Sequence, residues 1–168
     1  ALSRWKRSAL LHEISVGIDS STYSMSLTRD GHFAARGGES GVSVWDSRSG
    51  KKIWENQELG ERITRTAIIE RKEKIFVAAV TESEELILMH PDSPSQISRY
   101  SITESVQCLI FSPGGSHLAI GHPSGQILLL ETDNADQSQR RFEHHQERSS
   151  PAKKNQGFLK KALFLRLP

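Results

Sequence analysis

Thr28-Arg29-Asp30-Gly31-His32-Phe33-Ala34-Ala35, and after it Gly41-Val42-Ser43-Val44-Trp45-Asp46-Ser47-Arg48-Ser49-Gly50-Lys51-Lys52-Ile53-Trp54, decide the fold. Asp30-Gly31 and Ser49-Gly50 are turn pairs, because glycine enters the positive-φ conformations of tight turns without steric cost. The runs between them are too short for helices, and Gly41 to Trp45 alternates with the period of a pleated strand. Adding the alternating run Tyr23 to Leu27 gives four short strands between residues 23 and 54.

The same order recurs. Ile63 to Ile69, Lys74 to Val80, Glu85 to Met89 and Gln96 to Ser101 form a second set. Val106 to Phe111, His117 to Gly121 and Gln126 to Leu130 form most of a third. Asp30-Gly31 matches Gly114-Gly115, and Gly41 matches Gly125, each 84 residues on, or two periods of 42. A fixed period of about 40–45 residues is that of a four-stranded propeller blade, and it argues against a generic β-sandwich. The expectation is an all-β chain, a partial β-propeller of about three four-stranded antiparallel blades. Its parts are a basic segment 1–17 (a remnant of a preceding blade), blades over 18–135, and a polar, basic segment 136–168 that is a tail or a truncated next blade.

Over about residues 18–131 the chain resembles the WD-repeat family. Phe111-Ser112-Pro113-Gly114-Gly115 is similar to the first turn of that repeat, His117-Leu118-Ala119-Ile120-Gly121 to its second strand, and Ser124 to Glu131 to its third, with Leu130-Glu131 in place of Trp-Asp. Thr28-Arg29-Asp30-Gly31, Val42 to Asp46 and the turn Ser47 to Lys51 match more closely. The middle repeat departs, with Met89-His90 at the Trp-Asp position. Of the family's His, Ser/Thr, Asp and Trp network, Trp45 is the member present in the first repeat, and Ala35-Arg36 occupies the Ser/Thr region. The resemblance implies a rigid platform that binds a protein partner through its loops, without catalysis.

A lone four-stranded sheet has two faces to cover, and neighbouring blades cover them. Val42, Val44, Phe76, Val77, Ile87, Ile110 and Ile127 are therefore expected between sheets, and Trp45 as a core side chain with its indole N–H satisfied. Three blades do not close a ring, so the chain is expected to need further blades or another chain.

Hydrophobic residues at 36% and charged residues at 25% fit a folded globular chain. The formal charge is +2, with +3 on residues 1–12 and +5 on residues 136–168, which leaves −6 on the middle. Solvated basic ends are the simpler reading, and nucleic-acid binding is not expected, because aromatic and basic residues do not interleave on any strand. No apolar run reaches the ~18 residues of a membrane span. One cysteine, Cys108, excludes an internal disulfide and a thiolate zinc site. An intracellular location is expected, in the cytoplasm or the nucleus.

No set of residues specifies catalysis, and no cofactor or metal is expected. Arg36-Gly37-Gly38-Glu39-Ser40-Gly41 lacks the Gly-Lys-Ser/Thr and the following helix of a phosphate loop. Cys108 sits in a strand with no activating neighbour. His144-His145 are adjacent and point apart on a strand. Glu82, Glu84 and Glu85 read as a solvated loop. Asp46 to Glu55 resembles the repeat of quinone-dependent propeller enzymes, whose further repeats do not appear. The candidate partner loops are Gly37 to Gly41, Thr81 to Glu84 and His122 to Gly125, with Glu39, Glu82, Glu84 and Ser124 as candidate contact residues.

Overall fold

The computed structural model describes residues 21–39 and 41–132, together with Glu13. Strands β1 (Ser24–Leu27), β2 (Phe33–Gly37), β3 (Val42–Asp46) and β4 (Lys51–Asn56) form one antiparallel sheet in chain order. A second sheet holds β5 (Ile63–Arg71), β6 (Lys74–Thr81), β7 (Glu85–Met89) and β8 (Ile97–Ser101). The third holds β9 (Cys108–Phe111), β10 (His117–Gly121) and β11 (Ile127–Glu131). The expected terminal segments 1–17 and 136–168 lie outside the described residues, apart from Glu13.

The turns are built as the glycines require. Gly31 and Gly115 occupy equivalent turns and share a φ of 72°. Strands β5 and β6 are joined differently, by Lys72 and Glu73 at φ 50° and 59°. Both residues of this two-residue hairpin are left-handed, the geometry that follows strand twist.

Two apolar layers separate the sheets. Ala35, Val42 and Val44 of the first sheet pack with Ile68, Val77, Ala79, Ile87 and Met89 of the second. The opposite face of the second sheet, Ala67, Ala78, Val80, Leu86 and Leu88, packs with Leu118 and Ile120 of the third. The second sheet is thus covered on both faces, the arrangement of consecutive blades in a propeller. The 42-residue period reappears as contact: Thr66 N–H donates to Ser24 Oγ at 2.8 Å, and Arg65 Nε to the Gln107 carbonyl at 2.7 Å, each across 42 residues. Strand β1 lies against β5, and β5 against β9, so the first strands of the three sheets are neighbours.

Val42, Val44, Val77 and Ile87 are buried as expected. Phe76 and Ile127 are half-buried. Ile110 is a correction: it is 64% exposed, because it pairs with Ala119 on the face of the third sheet turned away from the second. Met25 and Leu27 are exposed on β1, whose Ser24 and Ser26 instead reach Thr66 of the second sheet. Trp45 is half-buried rather than a core residue; its Nε1 donates to Ser43 Oγ at 3.0 Å, and Lys52 Nζ lies 5.8 Å from its ring centre. Trp54, on β4, packs against the first apolar layer.

Candidate functional site

The β2–β3, β6–β7 and β10–β11 connections are short, and each leaves a sheet at the end where the chain also crosses to the next sheet. Contacts fix this convergence. Arg62, in the crossing from β4 to β5, places Nε 3.5 Å from Glu39 and Nη1 3.1 Å from Glu82. Its guanidinium carbon stands 4.7 Å from the ring centre of Tyr23, whose hydroxyl donates to Glu39. One cation therefore ties the first two candidate loops to each other, and Glu82 beside it raises the Arg62 pKa above its ordinary value. Stacking over an aromatic ring while bridging two carboxylates suits a planar guanidinium better than an ammonium.

The loops are also pinned to the crossings by a repeated device. Ser83 Oγ donates to Glu61 at 2.6 Å, and Ser124 Oγ donates to Glu104 at 2.7 Å. The Ser83 hydroxyl holds the Glu61 carboxyl below its usual range. His122 Nδ1 meets the Ser105 carbonyl at 2.9 Å, and the Arg65 guanidinium bonds the carbonyls of Gln107 and Thr64. In the first loop, a Cβ on Gly41 would lie 1.9 Å from the Asn56 carbonyl oxygen, so only glycine lets the backbones approach this closely.

Each expected contact residue has a definite place. Glu39 and Glu82 are brought together by Arg62, and both remain exposed. Ser124 is exposed on the third loop and bonded to Glu104. Glu84 is half-buried at φ 67°, and its carbonyl accepts from Ile102 N–H. Of the expected solvated cluster Glu82, Glu84 and Glu85, Glu82 is exposed while it pairs with Arg62, whereas Glu84 and Glu85 are half-buried and Glu85 pairs with Arg99 at 2.6 Å. Tyr23, Glu61, Arg62 and Glu104 escaped the sequence reading. Glu61 and Glu104 are 43 residues apart, and Ser83 and Ser124 are 41 apart, so the repeat period itself carries the signal for the serine–glutamate device.

Next to this end, a groove of about 290 Å³ lies between the second and third sheets, lined by Leu86, Tyr100, Ile102, Glu104, His122 and Leu128 among others. Cys108 is exposed on β9 beside Gly121; a Cβ on Gly121 would meet its Sγ at 2.3 Å. His117 stands at the far end of β10, four residues from the Gly121 that pairs with Cys108, and its Nδ1 meets Ser116 Oγ at 2.8 Å; Nδ1 of His122 meets the Ser105 carbonyl. His144-His145 lies outside the described residues; of Arg36 to Gly41, Arg36 and Gly37 end β2, Gly38, Glu39 and Gly41 lie between β2 and β3, and Ser40 is undescribed. Among the described residues, no helix is long and apolar enough to cross a membrane.

No family model matches the sequence, and no curated protein matches it. Solved structures do. Hsv2 of Kluyveromyces lactis aligns with a TM-score of 0.56 at 12% identity, over 67% of this chain and 33% of that one. The β-propeller domain of Myceliophteria thermophila Cps50 (Swd1) aligns with a TM-score of 0.52 at 16% identity, over 68% of this chain and 39% of that one. At these identities the likeness shows the fold: three sheets of four, four and three strands, a partial β-propeller. The chain spans between a third and two fifths of the length of these structures.

Proposed function

We propose that this chain is a WD-repeat-type interaction scaffold, without catalysis of its own, that holds a protein partner on the end of the blades bearing Glu39, Glu82, Glu84 and Ser124. The observation that carries the proposal is the Arg62 bridge from Glu39 to Glu82. It fixes two loops from different blades in one frame and leaves both carboxylates facing solvent. Preformed loops with exposed side chains bind with a small ordering cost, and loops on a rigid scaffold are where recognition residues concentrate. The propeller neighbours support the scaffold reading as a fold type. The cytoplasm or nucleus is the proposed location.

The test is a comparison of variants in which the fold is monitored. Glu39→Ala, Glu82→Ala, Glu84→Ala and Ser124→Ala, combined in the full chain, should abolish capture of whatever proteins the wild type retains, and melting should stay within a few degrees. An unchanged capture profile overturns the assignment of the partner site. Saturable binding of a quinone cofactor with calcium and reduction of a dye would replace the scaffold by an enzyme. Salt-sensitive nucleic-acid binding that survives removal of residues 136–168 would replace it by a nucleic-acid module.

A further inference from the structure

At the opposite end of the blades, Asp30 and His32 lie in the β1–β2 turn of the first sheet, and Glu70 lies near the end of β5 in the second. The meeting is not local in the chain: Glu70 follows Asp30 by 40 residues, about one repeat. In the folded chain, one ligand atom from each of the three residues lies within 4.8 Å of the others. Asp30 and Glu70 are exposed and His32 is half-buried, so the cluster is open to solution.

The His32 ring is held from two further sides. It stacks on Phe33 with centroids 4.1 Å apart and planes 22° apart. Its Nε2 stands 3.5 Å from Asp46 Oδ2. A carboxylate beside one imidazole nitrogen orients the ring and makes the other nitrogen a better electron-pair donor, which is the outer-shell arrangement found around metal-bound histidines. Asp30 is fixed as well: its Oδ1 accepts from Thr28 Oγ1 at 2.7 Å and from His32 N–H at 3.0 Å.

We propose that Asp30, His32 and Glu70 form a binding site for one divalent transition-metal ion, which ties the first blade to the second. An imidazole nitrogen with two carboxylate oxygens suits zinc, cobalt or manganese, whereas calcium and magnesium favour oxygen donors alone. Three protein ligands leave a coordination position for water. Asp46 is a positioning residue, acting on the ion through the His32 ring. This site lies at the other end of the sheets from the proposed partner loops, so neither proposal depends on the other.

The test uses the full chain, freed of metal by chelation and titrated with zinc chloride, read by calorimetry and by melting. In the wild type a saturable site should raise Tm by roughly 5 °C or more at a hundredfold excess over its Kd. Glu70→Gln and His32→Gln should each weaken that site at least about tenfold, and Asp46→Asn, which touches no metal, should weaken it about 10- to 100-fold. Glu70→Gln should melt like the wild type in chelator, since the residue is exposed; this separates loss of a ligand from loss of the fold. Absence of saturable zinc binding overturns the proposal. So does wild-type affinity in Glu70→Gln and His32→Gln, which would place bound zinc on other histidines of the chain.

Discussion

The second and third sheets are alike in sequence and unlike in environment. In the second, Val77 to Val80 and Leu86 to Met89 are buried without a break, because other sheets cover both faces. In the third, Ile127-Leu128-Leu129-Leu130 is just as apolar, yet all four residues are half-buried and Ile110 is exposed. A run apolar on both sides is the pattern of a strand covered on both faces. The third sheet therefore carries the composition of an inner blade, with one covered face among the described residues. The first sheet mirrors it, with Met25 and Leu27 exposed on its free face. Covered faces should control stability, and free faces should accept change.

The largest effect comes from setting a charge on each kind of face. Val44→Asp, at a fully buried position, leaves a carboxylate unpaired in the first apolar layer and should destabilise by more than about 4 kcal/mol. Val42→Asp, from the same layer, should do likewise. Ile110→Asp should stay within about 0.5 kcal/mol of wild type. Denaturant melts of the three variants check this, and equal losses would erase the distinction between faces.

The same contrast can be drawn inside one sheet. Leu118 is fully buried against the second sheet, whereas Leu129, on β11, faces the other way and is half-buried. Leu118→Ala should cost about 2–5 kcal/mol and Leu129→Ala less than about 1 kcal/mol. Similar losses in urea unfolding would mean that both faces are covered in solution.

Acid should act on the ends of the blades and not on the apolar layers. Backbone N–H groups, that of Ser49 first, lower the pKa of Asp46, and Ser83 lowers that of Glu61. A lowered folded-state pKa gives stability that is fully present above the unfolded values, 3.8 for Asp46 and 4.5 for Glu61, and is lost as pH falls through the folded ones. These groups should therefore leave Tm flat from about pH 5 to 7 and lower it below about pH 4.5, and Asp46→Asn should remove part of that decline.

The smallest change sharpens the comparison within the best-covered sheet, where the β5–β6 hairpin keeps two left-handed residues that are not glycine. Lys72→Asn with Glu73→Gly supplies residues suited to that turn and should raise stability by about 1 kcal/mol, or 2–4 °C in Tm. A fall in Tm would show that this turn geometry is wrong.

Most strand positions were legible in the sequence, to within about two residues, because Gly31, Gly50 and Gly115 mark turns that only permissive residues make. The face of each residue was less legible. Ile110 and Ile127 sit in runs apolar on both sides, which carry no alternation from which to choose a face, so burial was expected where the third sheet is open. Trp45 reads as core from its size, while Trp54 does more of the packing. Of the candidate site, the loops were visible from their glycines and acids. Arg62 was not, since its role exists only where segments around Tyr23, Glu39 and Glu82 converge. The meeting of Glu70 with Asp30 and His32 was hidden for the same reason.

Amide hydrogen exchange on the full chain tests the central claim, that three sheets pack face to face with the second enclosed by the other two. The amides of β6 and β7 should exchange slowest of all. Those of β1, and the outer edge of β11, should exchange fastest among the strands, because local opening there uncovers the least apolar surface. Protection that is uniform across the three sheets, or slower exchange in β11 than in β6 and β7, would contradict the account.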